Sequence, residues 1–93
     1  MANLHLLRTT VQNLDSHAIS SVLDSNDVIL LLDDGNYLCH NSQIVKSLSS
    51  YKVYVVKEQI DALALCCPDE FSCIDYSEAL GLMTTYQRTI TWQ

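Results

Sequence analysis

Short apolar runs alternate along the chain with longer segments in which apolar side chains recur at a helical period. Runs rich in aliphatic or β-branched residues are typical of strands, and such runs occur at 4–7, 28–32, 53–56 and 71–74. The run Val28–Leu32 is apolar at every position, which indicates a central strand covered on both faces. Thr89–Trp92 is expected to close the chain as a short strand or an extended tail.

Helices are predicted between these strands. Asn13 or Asp15 is expected to cap a helix that runs through Leu23, because the apolar side chains of this segment fall on one helical face. The other helices are predicted over 37–48, 59–65 and 76–85. Turn-forming or helix-breaking residues separate the elements at 24–27, 33–36 and 68–70.

The alternation of strands and helices predicts the fold class. A β-α-β-α-β-α-β-α-β order favours a mainly parallel sheet with right-handed crossovers. We therefore expect an α/β fold, a three-layer α/β/α arrangement with about five strands, in which residues 1–93 form a single domain. Functional groups of such sheets gather beyond the carboxyl ends of the strands, here at 8–10, 33–36, 57–58 and 75–76.

Composition narrows the possible functions. Hydrophobic residues make up 48% of the 93 residues, which excludes general disorder. The formal charge of −6 disfavours direct nucleic-acid binding, because that affinity comes mainly from lysine and arginine side chains that neutralise phosphates. No glycine-rich nucleotide motif occurs in the sequence, so no cofactor is expected.

The same sequence favours a cytoplasmic location. The amino terminus lacks the basic start and long apolar run of a secretory signal. The longest apolar run, Val28–Leu32, is far shorter than a membrane span, so no membrane contact is expected. Thiols stay reduced in the cytoplasm, and the four cysteines are therefore not expected to form disulfides.

Three of the cysteines, Cys66, Cys67 and Cys73, form the densest group of reactive side chains in the sequence. Their spacing matches neither the paired motifs of zinc ribbons nor the C-x-x-C motif of thiol redox sites. Buried cysteine behaves as a small hydrophobic residue. We therefore interpret Cys66 and Cys67 as the end of an apolar helix and Cys73 as a filler within a strand, with no metal site.

Cys39 is the weak candidate for a catalytic residue. It lies near the predicted start of the helix over 37–48, and a helix amino terminus favours the thiolate form of cysteine. That environment would suit a nucleophile or a persulfide carrier. The alternative is a half-buried small residue beside a surface histidine, His40, and the residues alone favour this alternative.

Two further features are candidates for a site or an interface. Asp33 and Asp34 follow a strand and could bind a cation or act in acid–base chemistry, although Asp-Gly after a strand is more often a polar turn before the next helix. Trp92 is expected to pack onto the domain or into a partner, because aromatic side chains are enriched at interfaces. We expect Tyr37 and Tyr76 to join it in a partner interface.

An ordered set of segments resembles the TusB/DsrH family over nearly the whole chain. The resemblance implies the α/β/α fold that the periodicity predicts independently, and it places this chain closest to the TusB branch of that family. The segments are Leu4-His5, the stretch 28–35, Lys52-Val53-Tyr54 with Glu58, Ile74-Asp75-Tyr76 and the terminal Trp92.

The resemblance implies a subunit rather than a stand-alone enzyme. TusB-like proteins assemble with TusC-like and TusD-like paralogues, commonly as a dimer of heterotrimers. The complex passes persulfide sulfur from a TusA-like donor towards a TusE-like acceptor, and the sulfur ends in the 2-thio group of a tRNA wobble uridine. The principal catalytic cysteine belongs to the TusD-like subunit. Some DsrH-like relatives carry a cysteine in the first helix, where this chain reads Ile19-Ser20-Ser21-Val22.

The leading hypothesis is therefore a non-catalytic structural subunit of a sulfur-relay complex. One alternative is a DsrH-like subunit that serves sulfur oxidation. Another is a sulfurtransferase or thiol-redox protein that uses its own Cys39. A third is a homo-oligomeric binding module, since many small domains form symmetric dimers, and a homodimer is possible when the chain is isolated.

Overall fold

The computed structural model describes residues 3–8, 23, 26–40, 42–86 and 88–92. Within them the chain forms one five-stranded sheet in the spatial order β4-β3-β2-β1-β5, and every neighbouring pair of strands is parallel. The strands are β1 (Leu4–Leu7), β2 (Val28–Leu31), β3 (Lys52–Val56), β4 (Ser72–Ile74) and β5 (Thr89–Trp92). The described helices are a 3₁₀ helix (Asp33–His40), α1 (Ser42–Leu48), α2 (Lys57–Ala62) and α3 (Tyr76–Thr85).

Helices cover both faces of the sheet. The alternation of side chains along β2 places Ile29 and Leu31 in one buried cluster and Val28 and Leu30 in another. The first cluster receives side chains from the 3₁₀ helix, α1 and α2, which are Leu38, Ile44, Val45, Leu48 and Ile60. The second cluster receives Ala79 from α3. The predicted parallel three-layer α/β/α fold is therefore confirmed.

The predicted helix over 37–48 is wrong in its first part. A 3₁₀ helix begins at Asp33, four residues earlier than predicted, and α1 follows it from Ser42. The 3₁₀ helix begins inside the turn because Asp33 adopts a φ of 52°, which reverses the chain directly after β2. The Gly35 amide then donates to the carbonyl of Leu32 at 2.8 Å.

The predicted helix over 59–65 is displaced. Its observed counterpart α2 begins at Lys57 and ends at Ala62. Ala64 adopts a φ of 55°, and the Leu65 amide donates to the carbonyl of Ile60 at 2.9 Å. These are the marks of a Schellman motif, which usually carries glycine at the left-handed position. Alanine stands there instead, so no residue type marked the end of this helix.

The helix predicted from Asn13 or Asp15 lies outside the described residues. Leu23, its predicted last residue, is described and is buried in the cluster that contains Ile29 and Leu31. The helix predicted over 76–85 coincides with α3. Asp75 caps it through a capping box, because its carboxylate accepts from the Glu78 amide at 2.8 Å.

A buried polar pair joins β1 to the start of β2 at the amino edge of the sheet. Nε2 of His5 lies 2.8 Å from Oδ2 of Asp27, and both side chains are fully buried. The second carboxylate oxygen of Asp27 accepts from the backbone amide of Asn3 at 2.8 Å. This pair supplies partners for polar groups that would otherwise be costly to bury.

Candidate functional site at the carboxyl edge of the sheet

The carboxyl ends of four neighbouring strands meet in one network of polar side chains. Arg8 follows β1, Asp33 follows β2, Gln59 lies in α2 directly after β3, and Tyr76 begins α3 after β4. The hydrogen bonds run in this spatial order across the sheet. The prediction that this edge gathers polar groups is confirmed for the described residues. Thr9 and Thr10 lie outside them.

An ion pair forms the first part of the network. Nε and Nη2 of Arg8 lie 2.9 and 2.8 Å from Oδ2 of Asp33. The two side chains are 47% and 49% exposed, so solvent screens their attraction. This pair therefore contributes more to the position of Asp33 than to the stability of the fold.

Gln59 connects the turn after β2 to the start of α3. Its Oε1 accepts from the backbone amide of Asp33 at 2.9 Å and from Nδ2 of Asn36 at 2.7 Å. Its Nε2 donates to the hydroxyl of Tyr76 at 2.9 Å. The backbone amide of Tyr76 in turn donates to a carboxylate oxygen of Glu58 at 3.3 Å. One amide side chain thus fixes both segments relative to each other.

Asn36 lies in the turn 33–36 that was predicted at this edge, whereas Gln59 was not among the residues predicted there. Gln59 belongs to no motif, and only its position shortly after a predicted strand could have drawn attention to it. Asn36 is fully buried, and its Nδ2 also donates to the carbonyl of Asp33 at 3.0 Å. Its Oδ1 has no hydrogen-bond partner among the described residues. An acceptor buried without a partner is unusual and costly.

The turn that carries Asp33 and Asp34 is pressed against β1. A Cβ atom added to Gly35 would lie 1.8 Å from the carbonyl oxygen of Leu7. Only glycine allows this close approach of two backbones. This geometry confirms that Asp33-Asp34-Gly35 forms a turn after β2, and a chemical role of the two carboxylates stays a prediction.

A shallow depression of about 300 Å³ opens beside this turn. Its walls carry the polar side chains of Asp33, Asp34 and Gln59, and Ala62 and Leu63 supply its apolar part. Asp33 is already paired with Arg8, whereas the Asp34 carboxylate has no hydrogen bond or ion pair among the described residues. The Asp34 carboxylate, which has no partner among the described residues, thus lies next to the apolar surface of the depression.

The three aromatic residues expected at a partner interface lie on three different elements of the fold. Tyr76 is 46% exposed and belongs to the network at this edge. Tyr37 is 44% exposed on the 3₁₀ helix. The backbone of Trp92 pairs with Leu7 at the carboxyl end of β5, and its side chain lies outside the described residues.

Cys39 does not stand at the start of an α-helix. It lies in the last turn of the 3₁₀ helix, half-buried against the core. Burial raises the pKa of its thiol to about 11, and the neighbouring Cys67 adds to the increase. The expected stabilisation of the thiolate is therefore wrong. The thiol borders a groove of about 420 Å³ that His40, Lys46, Pro68 and Glu70 also line.

The interpretation of the other cysteines as buried fillers is wrong for Cys66 and Cys73. Both side chains are exposed, because Cys66 lies beyond the end of α2 and Cys73 lies on the edge strand β4. Cys67 is half-buried, packs against the core, and donates to the carbonyls of Pro68 and Phe71 at 3.4 and 3.6 Å. Burial is also the main reason why the pKa of its thiol is raised.

The protonation of Cys39 gives a direct chemical prediction. At pH 8, a pKa of about 11 leaves about one thiol in a thousand as thiolate. We expect iodoacetamide to alkylate Cys39 about a hundredfold more slowly in the folded chain than in the urea-unfolded chain. Mass spectrometry of digested samples over time measures both rates. Cys66, which is exposed, serves as the internal control.

Equal rates for Cys39 in the folded and unfolded chains would contradict this account. The same pKa has a consequence for stability, because the folded chain holds the thiol proton to a higher pH than the unfolded chain does. The contribution is present below about pH 8.5, the usual pKa of cysteine. It is lost as the pH rises towards about 11.

Within the described part of the chain, no group of three or more histidine, cysteine, aspartate or glutamate side chains has an arrangement suited to a metal ion. No helix there combines the length and the apolar character that a bilayer crossing requires.

The protein belongs to the class of parallel three-layer α/β/α domains, and it carries a polar network at the carboxyl edge of its sheet. The model of the family described as DsrH like protein matches residues 9–89. The chain therefore belongs to the DsrH-like family.

Curated relatives give a finer comparison. The proteins named Protein TusB from Salmonella arizonae, Salmonella typhimurium and Salmonella paratyphi B are each 31% identical to this chain over 94 aligned residues. The alignments cover 96% of this chain and 99% of each relative. The similarity thus extends over the whole length of these relatives rather than over one motif.

Proposed function

We propose that this chain is a TusB-like subunit of a sulfur-relay complex in the cytoplasm, with residues 1–93 as its single domain. The complex passes persulfide sulfur towards 2-thiolation of the tRNA wobble uridine. The observation that carries the proposal is the 31% identity to TusB proteins over nearly the full length of both chains. The partners in this proposal are TusC-like and TusD-like paralogues, with a TusA-like donor and a TusE-like acceptor.

In this proposal the chain has a structural role and no catalytic residue of its own. A persulfide carrier needs an accessible thiolate, and the raised pKa of Cys39 keeps its thiol protonated at neutral pH. Cys67 is half-buried and its pKa is also raised. Both observations disfavour Cys39 and Cys67 as carriers, whereas Cys66 and Cys73 are exposed, so a carrier elsewhere in the complex is a prediction of the proposal for these two thiols.

Co-expression tests the proposal. The chain is produced together with the TusC-like and TusD-like proteins of its own genome, and the mixture is separated by size-exclusion chromatography. We expect all three chains in one peak, at the mass of a heterotrimer or of a dimer of heterotrimers. Recovery of this chain only as a free monomer or homodimer, while its soluble partners elute together without it, would refute the proposal.

The match to the DsrH-like family supports a second candidate function, a subunit for sulfur oxidation. The two candidates share the same subunit role and differ in the final sulfur acceptor. Loss of 2-thiouridine after deletion of the gene supports the tRNA pathway. Normal 2-thiouridine together with loss of growth on reduced sulfur compounds supports the oxidation pathway.

A further inference from the structure

The depression beside the turn after β2 has the composition of a small recognition site. Ala62 and Leu63 provide an apolar part, while Asp33, Asp34 and Gln59 provide polar walls. The amide oxygen and the amide nitrogen of Gln59, and the Asp33 carboxylate, already have partners within the network. Within the described part of the chain, Asp34 is therefore the charged group of this wall that has no partner, so it can pair with a group from another molecule.

The described part of this edge carries more carboxylates than cations. The carboxylates are Asp33, Asp34, Glu58, Asp75 and Glu78, and the cations are Arg8 and Lys57. The fully buried Asn36 hydrogen-bonds to two of the wall residues, Asp33 and Gln59, and its Oδ1 has no partner among the described residues. The excess of carboxylates favours a group that brings donors and positive charge.

The site is also held rigidly before any partner arrives. Gln59 bonds to the turn and to Tyr76 at the same time, and Gly35 brings the turn into direct contact with β1. A preorganised site loses little conformational entropy when it binds. The half-exposed ring of Tyr76 lies on the other side of Gln59, where it offers further contact area.

From these observations we propose that the carboxyl-edge surface, defined as Asp33, Asp34, Gln59, Leu63 and Tyr76, is a docking surface for a paralogous subunit. A lysine or arginine side chain of that subunit enters the depression, pairs with the Asp34 carboxylate and lays its aliphatic stem on Leu63. A cationic side chain fits this place because carboxylates outnumber cations at this edge and the whole chain carries a net charge of −6. The inference rests on the proposed function.

Charge reversal with a matched control tests the surface. Asp34→Lys places a cation where the partner's cation is expected, and Asp69→Lys makes the same change in net charge in the exposed turn before β4, at the opposite edge of the sheet. The dissociation constant for the purified TusC-like and TusD-like pair is measured by biolayer interferometry. Each variant's melting temperature is compared with that of the wild type.

We expect Asp34→Lys to raise the dissociation constant at least about tenfold and Asp69→Lys to change it by less than about twofold. Wild-type affinity should fall as salt rises, and the Asp34→Lys variant should lose most of this dependence. Equal effects of the two substitutions, or no effect of Asp34→Lys, would overturn the docking surface and leave the proposed function intact. A wild-type chain that does not bind the pair would overturn both.

Discussion

Replacement of Gly35 by alanine is expected to destabilise the protein strongly, in contrast to the same replacement at Gly81. The new Cβ would lie 1.8 Å from the carbonyl oxygen of Leu7 and 2.6 Å from its carbonyl carbon. Both are backbone atoms of β1, so no side-chain rotation relieves the overlap, and the turn must move away from the sheet. We expect a loss of about 3 kcal/mol or more in the free energy of unfolding.

The second glycine of the chain provides the control. A Cβ added to Gly81 meets no heavy atom within 4 Å, and Gly81 lies inside α3. Alanine is the better helix former, so Gly81→Ala should stabilise the fold by about 0.5–1 kcal/mol. Urea denaturation monitored by circular dichroism measures both variants. Similar midpoints for Gly35→Ala and the wild type would show that the turn does not press on β1.

Removal of the buried carboxylate at position 27 is expected to have the other large effect. Asp27→Ala leaves Nε2 of His5 and the backbone amide of Asn3 without the partners that they have at 2.8 Å. Loss of one member of a buried pair typically costs about 3–5 kcal/mol, because the remaining polar group stays buried without compensation. Thermal and urea denaturation measure the loss.

Two further variants separate this effect from a general effect of charge. Asp27→Asn keeps the shape and one acceptor oxygen, so it should cost less than Asp27→Ala. Asp69→Ala removes a carboxylate from an exposed turn and should stay within about 0.5 kcal/mol of the wild type. Equal stabilities for Asp27→Ala and Asp69→Ala would contradict the role assigned to the buried pair.

Much of the fold could be predicted from the apolar pattern. The runs at 4–7 and 89–92 became β1 and β5 with unchanged bounds, and the all-apolar run at 28–32 became the central strand β2 with one residue fewer. The predictions for β1 and β2 succeeded because burial on both sheet faces constrains every position of these strands, whereas β5 is an edge strand whose described side chains are exposed or half-buried. The helix over 76–85 was also correct, since Asp75 and Glu78 form a capping box.

The errors arose where backbone geometry departs from the usual residue preferences. Ala64 ends α2 in the left-handed region, and Asp33 begins the 3₁₀ helix with a positive φ. Glycine or asparagine usually stands where Ala64 does, so the residue type did not mark the end of α2. Asp33 lies in the predicted turn 33–36, but that pattern did not predict that a 3₁₀ helix begins there. The contact of Gly35 with Leu7 joins residues far apart in sequence, and no local pattern encodes it.

The candidate site was predictable in place but not in detail. Topology placed Asp33 and Tyr76 at one edge of the sheet, because parallel strands share their carboxyl edge. Gln59, which connects them, carried no sequence signal. The burial of Cys66 and Cys73 was predicted wrongly, because it depends on where α2 ends and on β4 being an edge strand.

Formation of 2-thiouridine by a reconstituted relay is the most direct test of the central claim, that this chain supports sulfur transfer without carrying sulfur itself. The complex is assembled with the wild-type chain, with a variant in which Cys39, Cys66, Cys67 and Cys73 are all alanine, or without the chain. Mass spectrometry of tRNA digests measures the product. The account predicts equal product with the first two and little without the chain. Product with the wild type but none with a folded, assembled cysteine-free variant would contradict it.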